Sequence, residues 1–411
     1  MALKPLVDSN GIHQVKGFEF SGIHCGIKKS AEKKDLGLIY STQPNTHMAG
    51  LFTINRVHAP CVAIGKEVRK TQKARAILVN SGCANAYTGE KGMQDARELN
   101  AHLATTLNIL AEHIVPSSTG VIGQFLPVEK MKAAFPALIQ NKSANGFFDV
   151  AQAICTTDTF VKTFGKEITL SGKPVRFLGM AKGAGMIQPN MATMLAYVVT
   201  DAAITPSALQ QALASSSAET FNAITVDGEM STNDTLVLLA NGAANNPQIT
   251  ETSADFQIFS AALTEVCDFL ARQIVRDGEG VTKFVELIVE GLPHEETLRN
   301  IAFAIANSYL VRTAIAGEDA NWGRIMSAAG ACAARANLDV NFDHGSIFFN
   351  DVAVLKNGQA QGKEAEQKAA AFMKQGEFTL RVVLGQAPTR VRLYTGDLTA
   401  EYVAINANYR T

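Results

Sequence analysis

The sequence predicts a layered α/β (α+β) sandwich, in which helices cover β-sheet. Short apolar runs typical of buried strands alternate along the chain with amphipathic helical patterns, and this interleaving favours layers of helix and sheet. The 411 residues exceed one ordinary core, so we expect two or more subdomains that share an interface.

The predicted strands are short runs of apolar or β-prone residues, most of them closed by turn-forming residues. Residues 76–80 are followed by Ser-Gly, and residues 235–240 by Asn-Gly. Residues 284–291 alternate enough for a strand, whereas residues 192–200 are rich in β-prone side chains after a glycine-containing loop.

Helical periodicity is clearest in residues 255–276, whose apolar side chains recur every three or four positions on one face. The tail at residues 346–408 is expected to mix strands with one charged helix near residues 363–374. The other predicted helices cover residues 94–107, 127–139, 207–221 and 298–315.

The composition is that of an enzyme-sized globular protein without a basic surface. Hydrophobic residues make up 47% and charged residues 18% of the chain, and the formal net charge is -1. This balance gives no attraction to nucleic acid or to acidic membranes. The N-terminal segment lacks the apolar core of a signal peptide, and no later stretch has the roughly 18 apolar residues of a membrane span. We therefore expect a cytoplasmic protein with neither nucleic acid nor membrane as a partner.

The loop at residues 182–195 runs through two glycines into a predicted strand and carries Thr193. If the chain were cut before Thr193, the hydroxyl would have an α-amine with a pKa of about 7.7 to 8 as its base. No histidine lies between residues 114 and 293, and this absence favours the α-amine as the base. A histidine from a distant part of the sequence could still be brought to the site by folding. The glycines are also compatible with a phosphate-binding loop, but the Walker pattern G-x-x-x-x-G-K-[ST] is absent.

Two hydroxyl-rich segments are candidates for binding an oxyanion or a substrate. In residues 117–123, a turn with Gly120 allows close backbone approach, so that an N–H and a hydroxyl can face a developing oxyanion. In residues 156–159, hydroxyls could hold a substrate carboxylate or amide. The alternatives are a plain Ser/Thr turn for the first segment and a helix N-cap or turn for the second.

Two charged residues are candidates for binding the ends of a substrate. Lys182 could bind a carboxylate or steady the loop, and Glu279, in a tight turn at residues 277–283, could neutralise an ammonium group. The alternatives are a solvated lysine and an ordinary surface acid.

Taken in order along the chain, these segments resemble the ornithine acetyltransferases of arginine biosynthesis, also called glutamate N-acetyltransferases. The resemblance spans nearly the whole chain, and chance does not explain so many matches in the same order. The matching stretches are residues 80–86, 117–123, 156–159, 182–195, 225–235, 278–285, 321–324 and 406–411.

The resemblance implies a self-cleaving precursor with an N-terminal-nucleophile fold, like that of the aminopeptidases that begin at a processed nucleophile. Cleavage between Ala192 and Thr193 would give an α chain of residues 1–192 and a β chain of residues 193–411. A smaller α/β lobe would lie within about 290–395. The implied assembly is a heterotetramer of two α and two β chains.

The resemblance also implies a reaction, in which Thr193 takes the acetyl group of N-acetylornithine and glutamate then accepts it. Thr119 and Gly120 match the oxyanion-hole positions. No metal or organic cofactor is implied, in agreement with the missing metal-ligand spacing. Whether acetyl-CoA also serves as an acetyl donor is left open. The matching substrate-binding positions are Thr156, Lys182, Thr193, Glu279, Asn406 and Thr411.

Two other functions compete with this interpretation. An N-terminal-nucleophile amidase or aminopeptidase would pass the acyl group to water rather than to glutamate. A nucleotide-binding regulatory module would use Gly183 and Gly185, although the incomplete Walker pattern speaks against it.

Overall fold

The computed structural model describes residues 3–8, 10–188 and 194–408. The chain divides into two compact units. The larger unit comprises Leu6–Asn222 and Glu229–Ile274. The smaller unit comprises Ala223–Gly228 and the chain from Val275 onward, together with the first described residues.

Strands are distributed along the whole described chain. In order, they are β1 (Phe18–Ile23), β2 (Leu36–Ser41), β3 (His47–Phe52), β4 (Ala76–Cys83), β5 (Ile114–Val121), β6 (Lys162–Leu170), β7 (Lys173–Lys182), β8 (Leu195–Thr200), β9 (Ile224–Thr225), β10 (Thr235–Ala240), β11 (Phe284–Gly291), β12 (Ser346–Phe349), β13 (Val352–Lys356), β14 (Gln359–Ala360), β15 (Glu377–Val383) and β16 (Ala387–Gly396).

The α-helices alternate with these strands. In order, they are α1 (Pro60–Thr71), α2 (Gly89–Leu107), α3 (Val128–Gln140), α4 (Phe147–Ala153), α5 (Pro206–Glu219), α6 (Ala254–Arg276), α7 (Glu295–Ala306), α8 (Tyr309–Ala316), α9 (Trp322–Arg335), α10 (Lys363–Met373) and α11 (Ala400–Asn408). No helix within the described ranges is long and apolar enough to cross a membrane.

The larger unit contains two sheets that share one hydrophobic core. The four-stranded sheet has the order β1-β2-β4-β5, and the five-stranded sheet has the order β3-β10-β8-β7-β6. Leu78 and Val79 of β4 belong to the same buried cluster as Tyr197 of β8 and Val237 of β10. The apolar faces of the two sheets therefore stabilise each other by excluding water.

Helices pack on the sheets of the larger unit. Helix α6 lies close to β7 because Gly179 has no side chain; a Cβ atom there would lie 2.7 Å from Val266 and 2.9 Å from Leu270. The Phe164 ring of β6 stacks on the Phe269 ring of α6, with ring centroids 4.2 Å apart. On the four-stranded sheet, α3 packs against β1 and β2. The predicted layered α/β class is therefore confirmed.

The smaller unit has its own sheet and core. Its seven strands follow the order β14-β13-β12-β15-β11-β16-β9. Helix α7 packs on β11 and β16, and α10 packs on β13 and β15. Val285 and Val289 of β11 are fully buried in the core beneath α7, together with Leu298 and Ile301 of that helix.

Most predicted elements are confirmed, and several differ in extent. The predicted strand at residues 76–80 continues to Cys83, and residues 117–121 of the predicted turn lie in strand β5. The first residues of the predicted strand at 192–200 lie outside the described residues, and β8 covers the remainder from Leu195.

The prediction of one helix over residues 298–315 is wrong. Two helices, α7 and α8, occupy this region and are separated at Asn307 and Ser308. The Ser308 hydroxyl accepts a hydrogen bond from the Val311 backbone N–H at 3.4 Å and so caps α8. Helical apolar periodicity continues across this break, which is why the pattern alone does not reveal it.

Candidate active site

The first part of the candidate site lies where strands β4 and β5 end side by side. These parallel strands pair Ser81 with Thr119 and Gly82 with Gly120. Gly120 has a φ of 129°, and a Cβ atom there would lie 2.4 Å from the Gly82 carbonyl carbon. Only glycine fits this position, because any side chain would collide with the neighbouring strand.

Lys182, the last residue of β7, reaches this strand end. Its Nζ atom donates a hydrogen bond to the Thr119 hydroxyl oxygen at 3.2 Å, and the residue is only 3% exposed. Burial lowers the pKa of the Lys182 ammonium, and the Asp158 carboxylate opposes that effect. The alternative of a solvated surface lysine is therefore wrong.

Asp158 connects the segment of Thr156 to the loop after β7. One carboxylate oxygen accepts hydrogen bonds from Lys162 Nζ at 2.6 Å and the Gly183 N–H at 2.8 Å. The other accepts from the Thr156 N–H at 2.9 Å. Burial raises the pKa of Asp158, but the charges of Lys162 and Lys182 and these hydrogen bonds outweigh it and hold the pKa well below its usual range.

The start of β8 is fixed by a second buried acid, Asp234. Its Oδ1 atom accepts a hydrogen bond from the Met194 N–H at 3.0 Å, and the Thr235 N–H donates to the Met194 carbonyl at 3.1 Å. Burial raises the pKa of Asp234 well above its usual range. Register places Leu195 opposite Lys182, so β8 begins beside the end of β7.

Glu279 and Asn406 meet within the smaller unit. The Asn406 side-chain amide donates a hydrogen bond to the Glu279 carboxylate at 2.8 Å. Helix α11, which carries Asn406, lies against the turn at Gly280, whose carbonyl accepts from the Thr399 hydroxyl at 2.7 Å. A Cβ atom at Gly280 would lie 2.5 Å from the Tyr402 nitrogen, so glycine permits this close approach.

The structure thus groups the predicted residues into separate sets. Thr119, Gly120 and Lys182 come together in the larger unit, and Asp158 links Thr156 to them through Gly183. Glu279 pairs with Asn406 in the smaller unit. Three predicted positions lie outside the described residues, namely Ala192, Thr193 and Thr411.

Sequence reasoning missed Asp158 and Asp234 as individual residues. Asp158 stands inside a hydroxyl-rich cluster, four positions before Lys162, and Asp234 directly precedes a predicted strand. An acidic residue within a cluster of threonines is the signal that could have identified Asp158. Nothing in the local pattern pairs Asp234 with Met194, because that contact depends on β8 and β10 lying side by side.

This arrangement suits acyl transfer. Since the Lys182 amine donates to the oxygen of the Thr119 hydroxyl, the hydroxyl proton is free to donate to another acceptor. Donors fixed in a water-poor site stabilise negative charge that develops on an acyl oxygen. The fold and the site together define a layered α/β acyl-transfer enzyme.

Comparisons with known proteins identify the family of this chain. A model of the ArgJ family matches residues 19–411. The chain is 45% identical to the arginine biosynthesis bifunctional protein ArgJ of Geobacter sulfurreducens, over 97% of this chain and 100% of that protein. It is 40% identical to the protein of the same name from Bacillus halodurans, for which a crystal structure is known. The structural match covers 51% of this chain and 96% of that chain, with a TM-score of 0.48. An aminopeptidase from Ochrobactrum anthropi, described as a variant of the Ntn-hydrolase fold, is 11% identical over 68% of this chain and 90% of that chain, with a TM-score of 0.40.

The chain therefore belongs to the ArgJ family, and it is an acyltransferase of arginine biosynthesis. The resemblance predicted from the ordered segments is confirmed. The regulatory nucleotide-binding alternative loses its support.

The Asp158→Asn substitution should destabilise the protein by about 3 to 5 kcal/mol, because it removes the charge of a buried carboxylate that lies 2.6 Å from the buried Lys162 ammonium. Denaturant titration measures the change in the free energy of unfolding. Since the pKa of Asp158 is held low in the folded state, its stabilising effect is present at neutral pH and is lost only as the pH falls through that low value. The difference between wild type and variant should therefore shrink only in acid.

A matched control is the exposed ion pair of Glu67 and Arg97, in which each side chain is 52% exposed. Glu67→Gln should change the free energy of unfolding by less than about 1 kcal/mol, because water already solvates both charges. Equal effects of the two substitutions would contradict the structural role given to Asp158.

Proposed function

We propose that this chain transfers an acetyl group from N-acetylornithine to glutamate through an acetyl-threonine at Thr193. Membership in the ArgJ family supports the assignment to arginine biosynthesis. The observation that carries the chemistry is the buried contact of Lys182 with Thr119, beside the start of β8. Thr193 stands two positions before that strand in the chain.

The proposal begins with self-cleavage between Ala192 and Thr193. The Thr193 hydroxyl attacks the Ala192 carbonyl carbon, the peptide C–N bond breaks, and the proton from the hydroxyl passes to the departing nitrogen. Water then hydrolyses the resulting ester. The products are a free carboxylate on Ala192 and a free α-amine on Thr193, so the nucleophile acquires a base with a pKa of about 7.7 to 8.

In turnover, the α-amine takes the proton of the Thr193 hydroxyl as its oxygen attacks the acetyl carbonyl of N-acetylornithine. The C–N bond of the substrate breaks, the amine returns the proton to the leaving nitrogen, and ornithine departs. The amino group of glutamate then attacks the acetyl ester, the ester C–O bond breaks, and the α-amine carries a proton from the glutamate nitrogen to the Thr193 oxygen, which restores the hydroxyl. The cycle is a ping-pong exchange that uses neither metal nor organic cofactor.

Thr119 and Gly120 are the proposed oxyanion donors for both the cleavage and the transfer steps. The Lys182 contact supports this role for Thr119, because a hydroxyl that accepts from an amine is polarised and keeps its own proton for the oxyanion. Loss of one such donor commonly lowers kcat by about 100-fold to 1000-fold.

The remaining predicted residues would hold the amino-acid part that N-acetylornithine and glutamate share. Lys182 and Thr156 suit its carboxylate. Glu279 suits an ammonium group, and its hydrogen bond with Asn406 supports joint action of the two residues. Thr411 completes the proposed binding set. A site that binds the amino-acid part common to both substrates can exchange one substrate for the other, as a ping-pong reaction requires.

Three further points belong to this proposal: the assembly that the resemblance implies, the compartment that the composition indicates, and the second acetyl donor that the sequence leaves open. The assembly is a heterotetramer of two α and two β chains. The reaction takes place in the cytoplasm. Acetyl-CoA as a second acetyl donor to glutamate would make this chain bifunctional, as the curated relatives are named.

Purified protein supplied with N-acetylornithine and glutamate should form N-acetylglutamate and ornithine in equal amounts. Chromatography of the products measures both, with Thr193→Ala as the inactive control. A second arm replaces N-acetylornithine by acetyl-CoA and tests the additional donor. Acetate release that does not depend on glutamate would contradict transfer and would favour the amidase alternative.

Self-cleavage should be complete in the active protein. Denaturing gel electrophoresis should show two fragments, and N-terminal sequencing of the fragment that spans residues 193–411 should begin Thr-Met-Leu-Ala. Thr193→Ala should remain uncut, whereas Thr193→Ser should keep part of both activities because it retains a β-hydroxyl. A single full-length band from active protein would refute the cleavage mechanism.

A further inference from the structure

The segment of residues 231–234, immediately before β10, is held by backbone contacts with the end of β3 and the start of α1. The Thr53 hydroxyl donates to the Ser231 carbonyl at 2.9 Å, and the Thr53 N–H donates to the Asp234 carbonyl at 3.0 Å. The Ala59 N–H donates to the Thr232 carbonyl at 2.9 Å. The segment is therefore a fixed support rather than a free loop.

The side chain of Asp234 fixes the residue that follows Thr193. Its carboxyl accepts from the Met194 N–H while the next residue, Thr235, binds the Met194 carbonyl. Both backbone polar groups of Met194 are thus held, one by Asp234 and the other by Thr235, the first residue of β10. Asp234 is only 1% exposed, so water does not compete for its oxygen.

The side chain of the neighbouring residue, Asn233, fixes the other side of the site. Its Nδ2 atom donates to the Ser118 carbonyl at 2.8 Å and to the Ala84 carbonyl at 2.7 Å. Its Oδ1 atom accepts from the Thr232 hydroxyl at 2.6 Å, which orients the amide. Ser118 directly precedes Thr119, and Ala84 directly follows β4.

We propose that Asn233 and Asp234 are positioning residues, which together set the spacing between the Thr193 nucleophile and the oxyanion donors at Thr119 and Gly120. The inference rests on the proposed function, because it assigns a role to those groups. Two adjacent side chains on one support hold Met194, which follows Thr193 in the chain, and Ser118, which precedes Thr119. A misplacement of 1 Å can cost about 100-fold in rate, so this spacing matters for cleavage and for transfer.

The chemistry of Asp234 agrees with a hydrogen-bonding role rather than one that requires charge. Burial raises the pKa of this carboxyl, and the Met194 N–H and the Lys182 charge oppose the rise only in part. A carboxyl oxygen accepts from the Met194 N–H whether the group is neutral or ionised. An amide of the same shape should therefore replace it.

The test compares Asp234→Asn, which keeps an acceptor oxygen, with Asp234→Ala, which removes it. Asp234→Ala should slow self-cleavage and lower kcat for acetyl transfer by about 100-fold while KM changes little. Asp234→Asn should restore most of both activities. The matched control is Asp95→Ala on α2, an acid that is also buried, at 2% exposure, and should cleave and turn over as wild type does.

Should Asp234→Ala fail to fold, Asp234→Leu fills the same space without an acceptor and should show the same slow cleavage. Full activity in a folded variant that lacks the acceptor would overturn the positioning role. The role would also be overturned if Asp234→Asn were as inactive as Asp234→Ala. These outcomes are distinct from failure of the proposed function, in which wild-type protein itself transfers no acetyl group.

Discussion

The burial of Lys182 against the Thr119 hydroxyl is the interaction on which the rest of the site depends. An amine removed from water is costly unless a carboxyl lies near it. Asp158 supplies that charge, and its own hydrogen bonds tie the Thr156 segment and Gly183 to the same place. The buried charges of Lys182 and Asp158 thus together fix several parts of the chain that are far apart in sequence.

The two sheets of the larger unit bring these parts together at strand ends. Strands β4 and β5 end at Cys83 and Val121, one residue beyond the paired Gly82 and Gly120, and β7 ends at Lys182 beside the beginning of β8. The Lys182 to Thr119 hydrogen bond spans 63 residues of chain, so the site forms only when both sheets have formed. Stability of the sandwich and function of the site are coupled in this way.

Local patterns predicted much of the fold. Strands β10 and β11 have the predicted bounds, because an apolar run is closed at 241–242 by Asn-Gly and an alternating run ends at Gly291. Helix α6 follows its regular periodicity. The break between α7 and α8 escaped prediction, since the serine that caps α8 lies within an uninterrupted apolar pattern.

The candidate site was predictable only in part. Hydroxyls and glycine at residues 117–123 and the lysine before the glycines pointed to Gly120 and Lys182, and the family resemblance selected Thr119 among the hydroxyls. The contact between these groups was not predictable, because it arises from strand order rather than from any local spacing. For the same reason, the acids that hold the loop after Lys182 and the start of β8 carried no individual prediction.

The most direct test of the central claim is the intact mass of the fragment spanning residues 193–411 after N-acetylornithine is added without glutamate. The account predicts that this fragment gains one acetyl group, that the fragment spanning residues 1–192 does not, and that glutamate removes the addition. Rapid acetyl transfer by protein whose two fragments both stay unmodified throughout turnover would contradict the acetyl-threonine intermediate.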